Sequence, residues 1–207
     1  MAKRGRFITL EGGEASGKST NLKLMASWLN SQKISHVITH EPGGTPFAEK
    51  IRNLLLHTES SDPIAENTEL LLMFASRAQH VKSVIEPALA RGDWVVCSRF
   101  SDSSYAYQGG GRGIDVKKIS ALEAFTHPDL QPDLTILLDL PVEVAFERSK
   151  KRASADRIEK ESQQFFERVR AGFLSRAAAH PERFQIIDAT QPLEQVSQEV
   201  IGLLDRL

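Results

Sequence analysis

Gly12-Gly13-Glu14-Ala15-Ser16-Gly17-Lys18-Ser19 satisfies the spacing G-x-x-x-x-G-K-[ST] at each fixed position. The apolar, β-branched run 7–11 before it reads as a strand, and the amphipathic stretch 18–32 after it reads as a helix. That is the setting in which this pattern binds phosphate. Glycines let backbone N–H groups converge on phosphate oxygens, and the helix N-terminus adds a favourable dipole. On this reading Gly12, Gly13, Glu14, Ala15, Ser16, Gly17 and Thr20 frame a nucleoside triphosphate. Lys18 bridges its terminal phosphates and the Ser19 hydroxyl completes a Mg2+ shell. The loop alone does not separate an ATPase, a GTPase and a small-molecule kinase. The chain carries no N-K-x-D segment of the kind that reads guanine.

Outward from the loop, short apolar runs alternate with longer helical patterns. Strands are expected at 7–11, 36–39, 94–98, 134–139 and 184–188. Helices are expected at 18–32, 46–57, 65–90, 116–126, 142–151, 159–179 and 193–204. Within 65–90, Leu70, Met73, Phe74, Val81, Val84 and Ile85 recur at the spacing of one helix face. Such alternation implies an α/β fold: a five-stranded parallel sheet with helices on both faces, in one domain spanning 1–207.

The composition narrows the function classes. With 207 residues, 26 Lys+Arg and 27 Asp+Glu, the formal charge is −1, which gives no basic footprint for nucleic acid. Hydrophobic residues at 41% and charged residues at 26% suit an ordinary globular chain. No apolar run approaches the ~20 residues needed to cross a bilayer, so no membrane partner is expected. The basic start Met1–Arg6 is followed only by Phe7-Ile8-Thr9-Leu10 before Glu11 interrupts, too short a core for a signal peptide. The single cysteine, Cys97, excludes an intramolecular disulfide and suits a reducing compartment, so a cytoplasmic protein is expected.

Further motifs stand at the predicted strand ends. His40-Glu41-Pro42-Gly43-Gly44-Thr45 closes the second strand, and Ser98-Arg99-Phe100 closes the third. In open α/β sheets, ligands bind outside such C-terminal ends. Ser103-Ser104-Tyr105-Ala106-Tyr107-Gln108-Gly109-Gly110-Gly111-Arg112-Gly113 reads as a loop rich in donors, suited to a planar ligand. The cluster Arg148, Lys150, Lys151, Arg152 and Arg157 taken alone is a solvated face or charge compensation at a helix C-terminus. Asp139 after the fourth strand has the place of a Walker-B carboxylate, but Pro141 favours a structural role.

In their order and spacing these blocks resemble the bacterial thymidylate kinases, and the likeness runs the length of the chain. It rests on the loop within 11–20, Glu41-Pro42-Gly43-Gly44-Thr45, 69–81 around Arg77, 99–115, and Asp156-Arg157-Ile158-Glu159. The resemblance implies a three-layer P-loop fold that, with Mg2+, transfers the ATP γ-phosphate to dTMP, giving dTDP and ADP. It also implies a homodimer, with 65–90 among the interface helices. By the same resemblance Glu14 lies near the acceptor sugar, and Arg52 and Arg99 hold the acceptor phosphate, a task suited to the planar, permanently charged guanidinium. Arg77, Gln108, Ser103 and Ser104 would read the polar edges of thymine, with Glu41, Pro42 and Tyr107 completing the dTMP pocket. The family often places an aromatic ring on the base where Met73 stands here, so Met73 and Phe74 are both candidates. Residues 148–157 become a lid. The loop has no arginine, so Arg152, supported by Arg148 and Lys150, would reach the transferring phosphoryl, a contribution of about 10³–10⁵ in rate. The catalytic set is then Lys18, Arg99, Arg152 and Glu14.

Two positions depart from the family pattern. Ser98 stands where an Asp is usual, and His40 where an Arg is usual before Glu-Pro-Gly-Gly-Thr. The metal set is therefore expected to be Ser19 directly, with Glu14 and Ser98 acting through water. Loss of the Asp charge points to weaker metal organisation and a lower rate. Three readings stay open: an active dTMP kinase, a kinase of another pyrimidine monophosphate, and a nucleotide-binding relative with weak or lost catalysis.

Overall fold

Five short strands, β1 (Phe7–Glu11), β2 (His36–His40), β3 (Trp94–Ser98), β4 (Leu134–Asp139) and β5 (Phe184–Asp188), form one parallel sheet in the order β2-β3-β1-β4-β5. The structure is a computed structural model that describes residues 4–57, 62–150 and 156–207. Central β1 is buried at every position, whereas edge strands β2 and β5 mix buried and exposed residues. That is why β1 reads as a continuous apolar run: both of its faces are covered. Successive side chains of β1 serve opposite layers. Ile8 and Leu10 pack with Met25 and Leu29 of α1 (Lys18–Ser31) and Val196 and Val200 of α9 (Leu193–Leu204). Phe7 packs on the other side with Ile85 and Leu89. Leu137 of β4 meets Phe165 and Phe173 of α8 (Gln163–Ala179). The chain leaves β1 toward β2 on one side and β4 toward β5 on the other, which opens a crevice at the strand C-termini.

Most predicted elements form within a residue or two of their expected ends, including α2 (Pro46–Leu56), α6 (Val116–Thr126) and α7 (Val142–Ser149). The expected 65–90 helix is continuous but not uniform. It comprises α3 (Glu66–His80), a π-helical segment Val81–Ile85, and α4 (Glu86–Arg91). The wide segment ends beside Pro87, whose ring cannot follow a regular helix without striking the carbonyl four residues back. Helix α8 begins at Gln163 instead of 159, because Ser162 caps it, accepting from the Phe165 N–H. The residues ahead form a turn in which Asp156 Oδ1 accepts the Ile158 and Glu159 N–H groups at 2.8 and 2.9 Å.

The expectation of a loop over 103–113 is corrected. Residues Ser101–Ser104 form α5, and Tyr105–Gly111 continue as a π-helical segment, largely buried. The glycines serve packing. A Cβ on Gly110 would stand 2.6 Å from the Arg168 carbonyl oxygen of α8, so two helical backbones meet where a side chain would hold them apart. Among the described residues, no helix is long and apolar enough to cross a membrane.

Candidate active site

The loop after β1 owes its shape to residues that lack a Cβ or tolerate a left-handed backbone. Gly12 has φ +141°, and a Cβ there would lie 2.6 Å from the Leu138 carbonyl oxygen. Gly17 caps α1 with no side-chain hydrogen bond. The first N–H groups of a 14-residue helix are thus presented at the loop, the arrangement that receives phosphate. Lys18 Nζ lies across the loop, 3.1 Å from the Gly12 oxygen and 2.6 Å from the Gly13 oxygen. Ser19 and Thr20 stand in the first turn of α1.

Arg99, immediately after β3, has φ +68°, a conformation that strains a residue with a side chain. It is pinned on both sides. Its N–H donates to the Leu10 carbonyl at 3.0 Å, and the N–H of Phe100 donates to Glu11 Oε1 at 2.7 Å. The guanidinium therefore folds over the phosphate loop. Its Nη1 donates to the Gly12 oxygen at 3.0 Å and Ser103 Oγ at 3.3 Å, its Nη2 donates to Glu14, and its carbon lies 4.8 Å from the Tyr107 ring centre. Tyr107 donates to the same Glu14 oxygen at 2.9 Å. Burial disfavours the Arg99 charge, but Tyr107, Glu14 and Glu11 outweigh it and hold the guanidinium protonated. Burial pushes the Tyr107 hydroxyl up.

Glu11 lies beneath this turn, fully buried, with Ser103 donating to its Oε2 at 2.6 Å. Burial and the charge of Asp102 raise its pKa to about 7, against the opposing Ser103, Arg99 and Phe100 contacts. Glu41 is also buried, yet its pKa is lowered. Burial acts upward, but Arg77 Nε at 2.7 Å and His80 Nδ1 at 2.9 Å prevail. Arg77 is further engaged by Ser104 Oγ at 3.1 Å and the Phe100 oxygen at 3.0 Å, and its guanidinium carbon lies 4.6 Å from the Phe74 ring centre.

Beside the loop opens a cleft of about 650 Å³, mouth included. It is lined by Glu14, Glu41, Pro42, Arg52, Met73, Arg77, Arg99, Ser103, Ser104, Tyr107 and Gln108. Of the residues expected around dTMP only Phe74 is elsewhere. It is buried with Leu70, Tyr105 and Ile119, because one residue along a helix turns the side chain about 100° away. Met73 faces the cleft. Leu56, Phe100, Asp156 and Ile158, which were not among the residues expected around dTMP, line it too. Arg52 Nη1 donates to the Pro42 oxygen at 2.9 Å.

Arg152 lies outside the described residues, as do 151 and 153–155 of the expected lid. Arg148 anchors the end of α7 to the turn after β5, donating to the Ala189 oxygen at 3.0 Å. His40 and Ser98, the two departures, face one another as register partners across β2 and β3. His40 Nε2 instead meets Glu49 Oε1 at 2.9 Å, and that oxygen also accepts the Gly44 N–H at 2.8 Å. Asp139 holds Arg170 through two contacts of 2.8 Å. Cys97 is buried. Sequence reading gave no role to three buried carboxylates, Glu11, Glu69 and Asp102. A signal for the second existed: Glu69, Met73 and Arg77 are spaced four apart on α3, one stripe of one helix.

Comparison with known proteins agrees with this geometry. The family profile described as thymidylate kinase matches residues 10–200. The thymidylate kinase of Pseudomonas fluorescens (strain SBW25) is 55% identical over 203 residues, 98% of this chain and 96% of its own. That of Methylobacillus flagellatus is 51% identical over 201 residues, 97% of each chain. A crystal structure of thymidylate kinase from Ehrlichia chaffeensis superposes with a TM-score of 0.77 at 33% identity, covering 97% of this chain and 99% of that one. A phosphate loop, an arginine-walled cleft beside it and this depth of likeness along nearly the whole chain place the protein in the thymidylate kinase family, as an enzyme that phosphorylates dTMP.

Proposed function

We propose that ATP is the phosphoryl donor, seated on Gly12–Thr20, and that dTMP lies in the adjoining cleft with its phosphate toward Arg99 and Arg52 and its base toward Gln108, Arg77 and Met73. The observation that carries this reading is the shared wall. Glu14 belongs to the loop, lines the cleft, and is held there by Arg99 and Tyr107. An acceptor phosphate drawn to Arg99 is thereby brought up to the end of the triphosphate. Transfer forms a bond from an acceptor phosphate oxygen to the γ-phosphorus and breaks the bond to the β–γ bridging oxygen, whose electrons leave with ADP. No side chain has to remove a proton, since the attacking oxygen is already anionic, and the work is positioning and charge neutralisation. Lys18, the loop N–H groups and Arg99 supply that charge. Arg148 and Arg152 belong to the lid over 148–157 that completes it and excludes water.

The loop suits a Mg2+–nucleotide. Ser19 offers a hard oxygen at the start of α1, Glu14 a carboxylate nearby, and Ser98 a hydroxyl at the end of β3. Among the described residues no three His, Cys, Asp or Glu side chains form a separate metal cluster, which suits an ion carried chiefly by phosphate and water. When bound, the ion neutralises charge on the β- and γ-phosphate oxygens.

We place the chain as a single P-loop domain in the cytoplasm, acting as a homodimer. Phe47 and Leu54 of α2 and Leu71 of α3 stand more than half exposed, an apolar face that a second copy would cover. The test of function is ADP release from Mg2+–ATP with dTMP, dUMP, UMP, dCMP and AMP, for the natural chain and Ser98→Asp. Turnover peaking at dTMP, with little ADP released when no acceptor is present, is expected. Tight dTMP binding with almost no turnover, restored by Ser98→Asp, would overturn this reading.

A further inference from the structure

Glu69 is 1% exposed, and four donors from three residues, Gln108, Arg112 and Arg157, converge on its carboxylate. Its Oε1 accepts from Gln108 Nε2 at 2.9 Å and Arg112 Nε at 3.3 Å. Its Oε2 accepts from Arg112 Nη2 at 3.1 Å and Arg157 Nη2 at 2.6 Å. Burial acts against its ionisation, but Gln108, Arg157 and Arg112 together lower its pKa, so the group is a carboxylate. A carboxylate only accepts hydrogen bonds, whereas a primary amide donates at one end and accepts at the other. Gln108 must therefore turn its NH2 end to Glu69. Gln108 lines the cleft, and the remaining end of its amide, the carbonyl Oε1, is the atom it can offer there.

We propose that Glu69 is a positioning residue for base specificity. By fixing the Gln108 amide it makes the cleft present an acceptor, selecting a pyrimidine with an N–H at ring position 3 and rejecting cytosine, which carries a lone pair there. This rests on the reading of the cleft as the dTMP site with Gln108 at the base. Thymine and uracil offer N3–H to the fixed carbonyl. Cytosine would oppose oxygen to nitrogen with no proton between them, and the amide cannot invert without setting its oxygen against a buried carboxylate. Mispaired polar groups in a closed site are what make such discrimination strong.

The experiment measures kcat/KM for dTMP and dCMP in the natural enzyme, Glu69→Gln and Gln108→Ala. A glutamine at 69 can donate as well as accept, so the Gln108 amide becomes free to invert. The ratio of dTMP to dCMP efficiency is expected to fall at least about tenfold in Glu69→Gln, with activity on dCMP rising in absolute terms. A loss of equal factor on both substrates, leaving the ratio unchanged, would mean a merely structural role and overturn the proposal. Gln108→Ala separates the two layers of the argument. If it too leaves the ratio intact, the placement of the base at Gln108 falls. If it collapses the ratio while Glu69→Gln does not, only the orienting role falls. Should Glu69→Gln give no cooperative unfolding transition, Glu69→Asp keeps the charge for Arg112 and Arg157 but draws it back from Gln108, and the same ratio decides.

Discussion

The buried carboxylate under the strained turn offers a quantitative test. Glu11→Gln is nearly isosteric with the protonated acid. Its amide can donate to Ser103 Oγ and accept the Phe100 N–H, the two partners Glu11 already has. In the folded chain Glu11 titrates at about 7 against an ordinary value of 4.5. Between those two values the folded state holds a proton that the unfolded chain has released, so stability falls as pH rises through the window and the loss persists above it. That gap, at about 1.4 kcal/mol per pH unit, amounts to about 3 kcal/mol. The variant has no proton to lose there. Every other titrating group is common to both chains and cancels in the difference. Urea unfolding of both proteins at several pH values from 4.5 to 8, with a shared m-value, measures it. The two should be of similar stability near pH 4.5, and the variant should gain about 3 kcal/mol on the natural chain by pH 8. Curves that run parallel across the range, or a variant that weakens as pH rises, would refute the claim that burial governs Glu11.

Other consequences follow from packing. Gly110→Ala places a methyl 2.6 Å from the Arg168 carbonyl, so the π-helical segment and α8 must separate; a loss of about 1–3 kcal/mol is expected in urea unfolding, with the KM for dTMP raised because Tyr107 and Gln108 move with the segment. The apolar face of α2 and α3 predicts a particle of twice the chain mass in light scattering after size exclusion, and Leu71→Glu should shift it to single chains at micromolar concentration.

Ser98 and His40 take on a joint meaning once their register is known. An Asp and an Arg at these positions would face each other across the β2–β3 pair, a local charge match. Here both charges of that pattern are absent together, and His40 turns to Glu49, tying the strand end to the Gly44 N–H instead. The change is thus paired in space, which the separate motifs do not reveal. The core charges of the site, Lys18 on the loop and Arg99 over it, are retained.

Much of the architecture was legible because the forces that set it are local. The phosphate loop depends on glycine at positions whose backbone excludes a Cβ, and the strands are apolar because the sheet is covered on both faces. Legibility failed where identical residues serve different neighbours. The glycine run 109–111 carries the composition of a loop, yet Gly110 and Gly111 lie against α8, far along the chain, at Arg168 and Phe165. Pro87 lies inside the stretch read as one helix over 65–90, and a helical pattern conceals whether the chain absorbs a proline by breaking or by widening. Met73 and Phe74 are adjacent and both apolar. Only the rotation of α3 against the cleft turns one to the cleft and the other to the core.

The sequence by itself therefore determined the sheet and the phosphate loop, since periodicity and short-range backbone requirements are written in consecutive residues, while the side chains that line the cleft beside the loop were implied by the resemblance to the thymidylate kinases. Tertiary structure alone decided how those side chains are aimed. Glu11 holds the turn at Arg99 by accepting the Phe100 N–H, and Glu69 orients Gln108, through contacts between residues 89 and 39 positions apart. The charge state of a buried carboxylate is set by who surrounds it in space, and no local pattern encodes that company.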